Sequence, residues 1–496
     1  MQGQLPRRTF LGGAVGATAS ALLSGCHDRS PATQAQLSSS PASPSTPTAG
    51  RVNWQKLRTA IRGRVVLPSD PNYAAAKSIF NSRYDKAAPA AVVIPESEDD
   101  VRRAMEFAAT DGVKVAPRSG GHSYVGASAA DDTMVIDLRR VAGAIVYDGD
   151  ATVVTAPAAT ALDPLQRMLA GRGRLIPSGS CPTVGVAGLT LGGGLGADTR
   201  SAGLTCDALV SASVVLPGGE FVTAGPDDHA DLFWALRGGG GGNFGVTTSF
   251  SFRTYPAVTR DVVTLRYPDP GVTDVIVGWA QWLAASDRAT WGLVNIPVGP
   301  AARGCTVVLA TAAGAGARLA AALEAAIGTS PLSTDTRTLG RLDFVGYFDG
   351  GDDASRPRSF VAGSDIIGEM TSGAAQSIVA ATKSWPAEAG GASAVIESLT
   401  GALRDVQPDA TAFPWRRDAA SIQWYSEPST PETVAAATAW LSSAHEKVKA
   451  HSVGAYVNYL EPGIPAQRYF GDNLSRLTSV RNTYDPNGVM GSGLDY

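Results

Sequence analysis

Three glycine-dense loops constrain this chain more than any other feature. The first reads Arg118-Ser119-Gly120-Gly121-His122-Ser123-Tyr124. The second runs from Pro177 through Cys181 to Gly188 and on through Leu191-Gly192-Gly193-Gly194-Leu195-Gly196, and the third from Arg237 to Gly245. Segments this poor in side chains serve where backbone must turn tightly or approach a ligand closely. Their N–H groups can converge on an anion, typically a diphosphate. A nicotinamide-type Rossmann site needs a strand feeding the glycines and a long amphipathic helix leaving them. Neither flanks Gly192 to Gly196, so that reading is disfavoured, as is one in which the glycines serve packing alone.

The 496 residues leave room for two or three domains. A charged share of 17%, against roughly 25% in soluble proteins generally, points to large buried cores. With 41 basic and 45 acidic residues there is no basic field of the kind nucleic acid requires, so no nucleic-acid partner is expected. No set of metal ligands is read. The 4 cysteines are too few for a disulfide framework. Cys206 and Cys305 have apolar flanks and read as inert buried thiols; Cys181 is set apart by its glycine-rich neighbours.

Residues 1–26 read as an export signal. Arg7-Arg8-Thr9-Phe10-Leu11 precedes an uncharged Gly, Ala, Ser and Leu stretch, the pattern of twin-arginine export, which carries folded proteins. An ordinary secretory signal is the alternative, and the stretch is too short and glycine-rich for a membrane span. Leu23-Ser24-Gly25-Cys26 resembles a lipobox, whose lipidated cysteine would tether the protein to the cell envelope; plain secretion is the alternative. Residues 27–50, rich in Ser, Pro and Thr, read as a flexible linker.

The fold class expected is α+β. Ala91 to Ile94 reads as a strand ending at Pro95, Ser97 as the N-cap of a helix running to about Thr110, and Val113 to Pro117 as a second strand. Met134 to Leu138 and Ala151 to Thr155 are further strand candidates. These belong to a first domain spanning 51–257, with its core at 87–257. From 258 to 450, short apolar runs (Val262 to Leu265, Cys305 to Ala310, Ser421 to Tyr425) alternate with alanine-rich helical stretches, Ala313 to Ile327 and Glu432 to Val448. That pattern fits a sheet covered by helices in a second domain. Residues 451–496 are expected to return to the first.

RSGGHSYVG around His122, SGSCPTVGVAGLTLGGGLG around Cys181 and DLFWALRGGGGGNFGV from Asp231 resemble the berberine-bridge-enzyme-like flavoproteins of the vanillyl-alcohol-oxidase superfamily. YVNYLEP from Tyr456 and YFGDNLSRLTSVRNTYDPNGV from Tyr469 extend the resemblance, in order, across the chain beyond the leader. It implies a PCMH-type FAD-binding domain and a substrate domain built on an antiparallel sheet. It also implies two covalent bonds to FAD, from His122 to the flavin 8α carbon and from Cys181 to C6. Both residue types are nucleophiles able to add to an electron-poor ring. The remaining FAD contacts implied are Arg118, Ser119, Gly120, Gly121, Ser180, Val184 and Gly185. Gly188, Gly192, Gly193, Gly194, Gly196, Gly245, Val246 and Asn458 complete the set.

The same resemblance implies hydride transfer from an alcohol carbon to flavin N5, the alcohol belonging to a sugar, oligosaccharide or secondary metabolite. A base must then take the hydroxyl proton. Tyr459 is assigned that role, with Tyr456, Tyr124 and Gln423 lining the substrate side. A tyrosine titrates near 10, so stabilisation of the phenolate by a nearby cation or the flavin's field is expected. Leu195 departs from the pattern of many plant members, which carry a tyrosine there. Val184, a small residue three positions after the cysteine, favours dioxygen as acceptor. A dehydrogenase using a quinone and a non-catalytic flavin-binding protein are the competing readings. The substrate itself is not legible.

Overall fold

The computed structural model describes residues 52–299, 304–348, 355–386, 389–491 and 493–494. The leader, Cys26 and the linker lie outside the described residues, so the export and tether expectations have no structural counterpart.

Two small sheets and one large sheet form the frame. The first small sheet holds β1 (Arg64–Val66), β2 (Ala91–Ile94), β3 (Val115–Arg118) and β4 (Met134–Asp137), in the order β1-β2-β4-β3. Parallel pairing of β2 and β3 with β4 follows from the crossover helix Glu98–Asp111. Ser97 caps that helix by accepting from the Asp100 N–H, and Gly112 ends it in the left-handed region. The following strand begins at Val115, two residues later than expected, and runs on to Arg118. Pro117 is tolerated because β3 lies at the sheet's end. That end is covered by the chain's own C-terminal segment: the Val115 N–H donates to Val489 O, and the Gly491 N–H to Val115 O.

The second small sheet holds β5 (Val146–Asp148), β6 (Val153–Pro157), β8 (Leu209–Val215), β9 (Phe221–Ala224) and β10 (Val246–Arg253), antiparallel in the order β5-β6-β10-β8-β9. A two-stranded ribbon joins β7 (Arg174–Leu175) to β11 (Tyr255–Pro256). The core between these sheets also takes Tyr469, Phe470, Leu477 and Val480 from the C-terminal region.

The large sheet holds β12 (Arg260–Tyr267), β13 (Trp291–Val298), β14 (Cys305–Ala312), β15 (Ser333–Leu339), β16 (Val361–Ile367), β17 (Ala392–Ser398), β18 (Ala420–Ser426) and β19 (Ser452–Gly454). Their order is β15-β12-β14-β13-β17-β18-β16-β19, every pair antiparallel. Alternation along the strands gives the sheet two unlike faces. Val294, Ile296, Ala394, Ile396, Ile422 and Trp424 point into a core shared with the helices Val272–Ala285, Gly316–Ile327, Ser372–Lys383 and Pro431–Val448. Asn295, Val395, Glu397, Gln423 and Tyr425 point the other way, into a cavity of about 480 Å³ whose opposite wall is the glycine loops.

Candidate active site

The first and second glycine loops touch backbone to backbone. A Cβ on Gly120 would sit 2.3 Å from the Gly185 nitrogen, and one on Gly185 would sit 2.3 Å from the Gly120 nitrogen. Nothing larger than glycine permits that approach. The abutment brings His122 and Cys181 to the same part of the cavity wall, with Thr183 between them. His122 Nε2 lies 2.9 Å from Thr183 Oγ1, and Cys181 Sγ lies 4.0 Å from the same oxygen. The imidazole stacks on Phe80 at 4.0 Å between centroids. Burial, aided by the Arg358 charge, lowers the His122 pKa to about 4, so the ring is neutral near pH 7. Burial raises the Cys181 thiol, while hydrogen bonds from Thr183 and the Val184 backbone pull it down.

Across the cavity, Tyr124 and Tyr459 stack at 5.1 Å with 20° between planes, and Gln423 Nε2 donates to Tyr124 Oη at 2.6 Å. Glu397 lies on the neighbouring strand, and burial raises its pKa to about 7. Burial raises the Tyr459 hydroxyl well above its ordinary value, with Tyr124 and Glu397 adding to the rise. The expected phenolate-stabilising cation is therefore not what acts on Tyr459 among the described residues; the ionisable partner there is a carboxyl. Tyr456 Oη accepts from the Gly194 N–H at 2.8 Å, the Leu195 N–H at 3.2 Å and Asn458 Nδ2 at 2.8 Å. It lines the cavity and pins the glycine turn to the segment that carries Tyr459.

The remaining assigned residues divide. Ser119, Gly120, Gly121, Ser180, Val184 and Gly185 line the cavity, as do Gly188, Gly196, Gly245 and Asn458. Arg118 does not. Its backbone pairs with Asp137 in the sheet, and its guanidinium turns inward to that carboxylate at 2.9 Å and to the Lys77 carbonyl at 3.2 Å. Its side chain is a buried cation paired to the sheet and does not reach the cavity. Gly192, Gly193 and Gly194 lie behind the wall: added Cβ atoms would meet Asn458, Phe413 and Thr205 at 2.0, 3.1 and 2.1 Å. Val246 is buried opposite Val215 at the start of β10. These four serve close packing behind the cavity and do not line it.

Sequence reasoning missed Glu397 and Asn295, whose strands β17 and β13 carried no motif. Alternation in the run Ala394-Val395-Ile396-Glu397 was the available signal, since it puts Glu397 opposite the apolar face. Ser128 and Thr247 were missed for the same lack of a motif.

The residues present fit FAD. Ser128 Oγ, Thr247 Oγ1 and Asn295 Oδ1 are buried on the cavity wall without a hydrogen-bond partner among the described residues. An unpaired buried polar group costs about 1–3 kcal/mol, so such groups await a polar ligand. A Cβ on Gly188 would meet nothing within 4 Å, leaving bare backbone open to the cavity.

Residues 89–225 match the model of the FAD binding domain, and residues 455–491 match that of berberine and berberine-like proteins. The chain carries both of these domains and is an FAD-linked oxidoreductase. Among relatives of this flavoprotein, an uncharacterised FAD-linked oxidoreductase of Bacillus subtilis, YgaK, is 29% identical over 87% of this chain and 96% of its own. The xylooligosaccharide oxidase of Thermothelomyces thermophilus is 38% identical, over 42% of each chain. The solved glucooligosaccharide oxidase of Acremonium strictum, described with a 6-S-cysteinyl, 8α-N1-histidyl FAD, shares the fold at a TM-score of 0.81. It is 24% identical over 88% of this chain and 98% of its own.

Proposed function

We propose that the cavity holds FAD bonded to His122 and Cys181, and that the loaded flavoprotein removes a hydride from an alcohol carbon of a carbohydrate or similar small molecule. Dioxygen then accepts the electrons and leaves as hydrogen peroxide. One observation carries this reading: two nucleophiles and a tyrosine–carboxyl group face a single cavity. The doubly linked flavin of the glucooligosaccharide oxidase supports the attachment, and the two oligosaccharide oxidases support a carbohydrate substrate.

FAD supplies the hydride acceptor when bound. His122 and Cys181 would hold the flavin, Ser128 and Thr247 would offer the cofactor their unpaired oxygens, and Gly188 and Gly241 would allow close backbone approach. On the substrate side, Asn295, Val395 and Gln423 form one row across β13, β17 and β18. Trp291, Phe348 and Tyr425 add aromatic surface to the cavity wall. Hydrogen-bonding groups beside aromatic faces suit a sugar ring. Tyr459 takes the substrate hydroxyl proton and passes its own to Glu397, whose pKa of about 7 lets it accept a proton near neutrality.

Anaerobic mixing with oligosaccharides tests the reading: the flavin band should bleach, then return within seconds on adding air. Reoxidation over minutes would replace dioxygen with another acceptor. A bleach by simple alcohols and by no sugar would remove the carbohydrate. Export by the twin-arginine route, with lipidation of Cys26, is proposed from the sequence alone. Replacing Arg7 and Arg8 with lysine should hold active, yellow protein in the cytoplasm.

A further inference from the structure

We infer that Thr183 is the positioning residue for both covalent attachments, its one hydroxyl setting the protonation of both nucleophiles. The inference rests on the reading that FAD is bonded to His122 and Cys181.

Thr183 lies two residues beyond Cys181, and its Oγ1 is within reach of both His122 Nε2 and Cys181 Sγ. A hydroxyl has one proton to give and lone pairs to receive. The arrangement that uses both partners runs in one direction. His122 Nε2–H donates to Oγ1, and Oγ1–H donates to the sulfur. With the proton on Nε2, Nδ1 keeps its lone pair and is the nucleophilic nitrogen. At the other end the sulfur, receiving from Oγ1 and from the Thr183 and Val184 backbones, gains the donors a thiolate needs in a site whose burial opposes charge.

The chemistry balances. Attachment at the methyl breaks a C–H and an imidazole N–H bond and forms a C–N bond. Attachment at C6 breaks a C–H and an S–H bond and forms a C–S bond. In each case two electrons and two protons pass to the flavin ring, and dioxygen removes them as hydrogen peroxide. The positions of Gly120 and Gly185 bring the two loops together; Thr183 decides which nitrogen of His122 is reactive and favours the thiolate of Cys181.

The test compares Thr183→Val, nearly the same shape without the hydroxyl, with Thr183→Ser, which keeps it. Protein is purified, precipitated with acid and digested, and the fraction of His122 and Cys181 peptides carrying flavin mass is measured. Expected is a loss of tenfold or more at both peptides in Thr183→Val, with the yellow colour now released by acid, and rescue in Thr183→Ser. Should Thr183→Val be insoluble, Thr183→Ala takes its place. Full attachment without the hydroxyl overturns the inference. So does loss at one peptide only, or a loss in Thr183→Ser equal to that in Thr183→Val. Absence of flavin from both wild-type peptides is a different result, one that removes covalent attachment itself.

Discussion

A tyrosine acts as a base only when its own proton has somewhere to go. Tyr459 is buried against Tyr124, and its environment holds the phenol protonated. In the proposed proton path, Glu397 is then the group whose charge governs the chemistry. Its carboxyl titrates at about 7, raised by burial, so the carboxylate able to accept a proton predominates above that pH and is lost below it. Flavin reduction by substrate should therefore rise with pH through a midpoint near 7. Glu397→Gln should flatten that profile and slow reduction by about 10²–10⁴-fold, the usual worth of a positioned acid or base. Tyr459→Phe should slow reduction comparably while leaving reoxidation in air nearly unchanged. A wild-type rate in either variant, measured by anaerobic stopped flow, removes that residue from the proton path.

At the scale of elements, the glycine loops were legible in the sequence because their chemistry is local: a run of glycines around a nucleophile has few other uses. Around them, β2, the helix Glu98–Asp111, β3, β4 and β6 lie within two or three residues of where caps and periodicity put them, whereas β8, β9 and β10 were not read from the sequence. What escaped was lateral. Glu397 and Asn295 acquire meaning only when β17, β18 and β13 lie side by side, a pairing no single segment specifies. The direction of the Arg118 side chain is of the same kind, since only its strand pairing beside Asp137 turns the guanidinium inward.

A further network of that lateral kind holds the Tyr456–Tyr459 segment. His445, from the helix Pro431–Val448, bridges Asp365 of β16 at 2.7 Å and Glu461 at 2.8 Å. Burial alone would lower the His445 pKa, but hydrogen bonds and charge from the two carboxylates outweigh it and raise it to about 9. A histidine whose folded pKa lies above its ordinary 6.5 contributes stability in full below 6.5, and that contribution is lost as pH rises through about 9. The denaturation midpoint should fall across this window. In His445→Leu the fall should vanish, and at pH 6 stability should drop by about 3–5 kcal/mol because Glu461 is left buried without its cation while Asp365 keeps only Arg468. An unchanged pH slope in that variant would show that the bridge does not carry the effect.

At the scale of the whole molecule, the cavity belongs to neither half of the chain alone. Its nucleophiles come from the loops beside the small sheets, its carboxyl from the large sheet, and Tyr456 to Leu460 from a segment between them. The first core is likewise completed from a distance. Leu477, Val480, Val489 and Met490 pack into it, and the segment at Val489 to Gly491 pairs with β3. A fragment ending near residue 257 would lack all of these. It would expose the edge strand β3 and leave cavities where four apolar side chains belong, each worth roughly 2–5 kcal/mol in comparable core truncations. Such a sum matches the 5–15 kcal/mol stability of a typical domain. The fragment 52–257 should therefore show no cooperative thermal transition and retain no FAD, although it contains both His122 and Cys181. Supplying residues 451–496 in trans, or fusing them through a flexible linker, should restore a transition and acid-resistant yellow colour without restoring substrate oxidation, since Glu397 and Gln423 would still be missing. Calorimetry and flavin fluorescence after denaturation read both outcomes, and cooperative unfolding of the unfused fragment would show that the first core closes without the C-terminal segment.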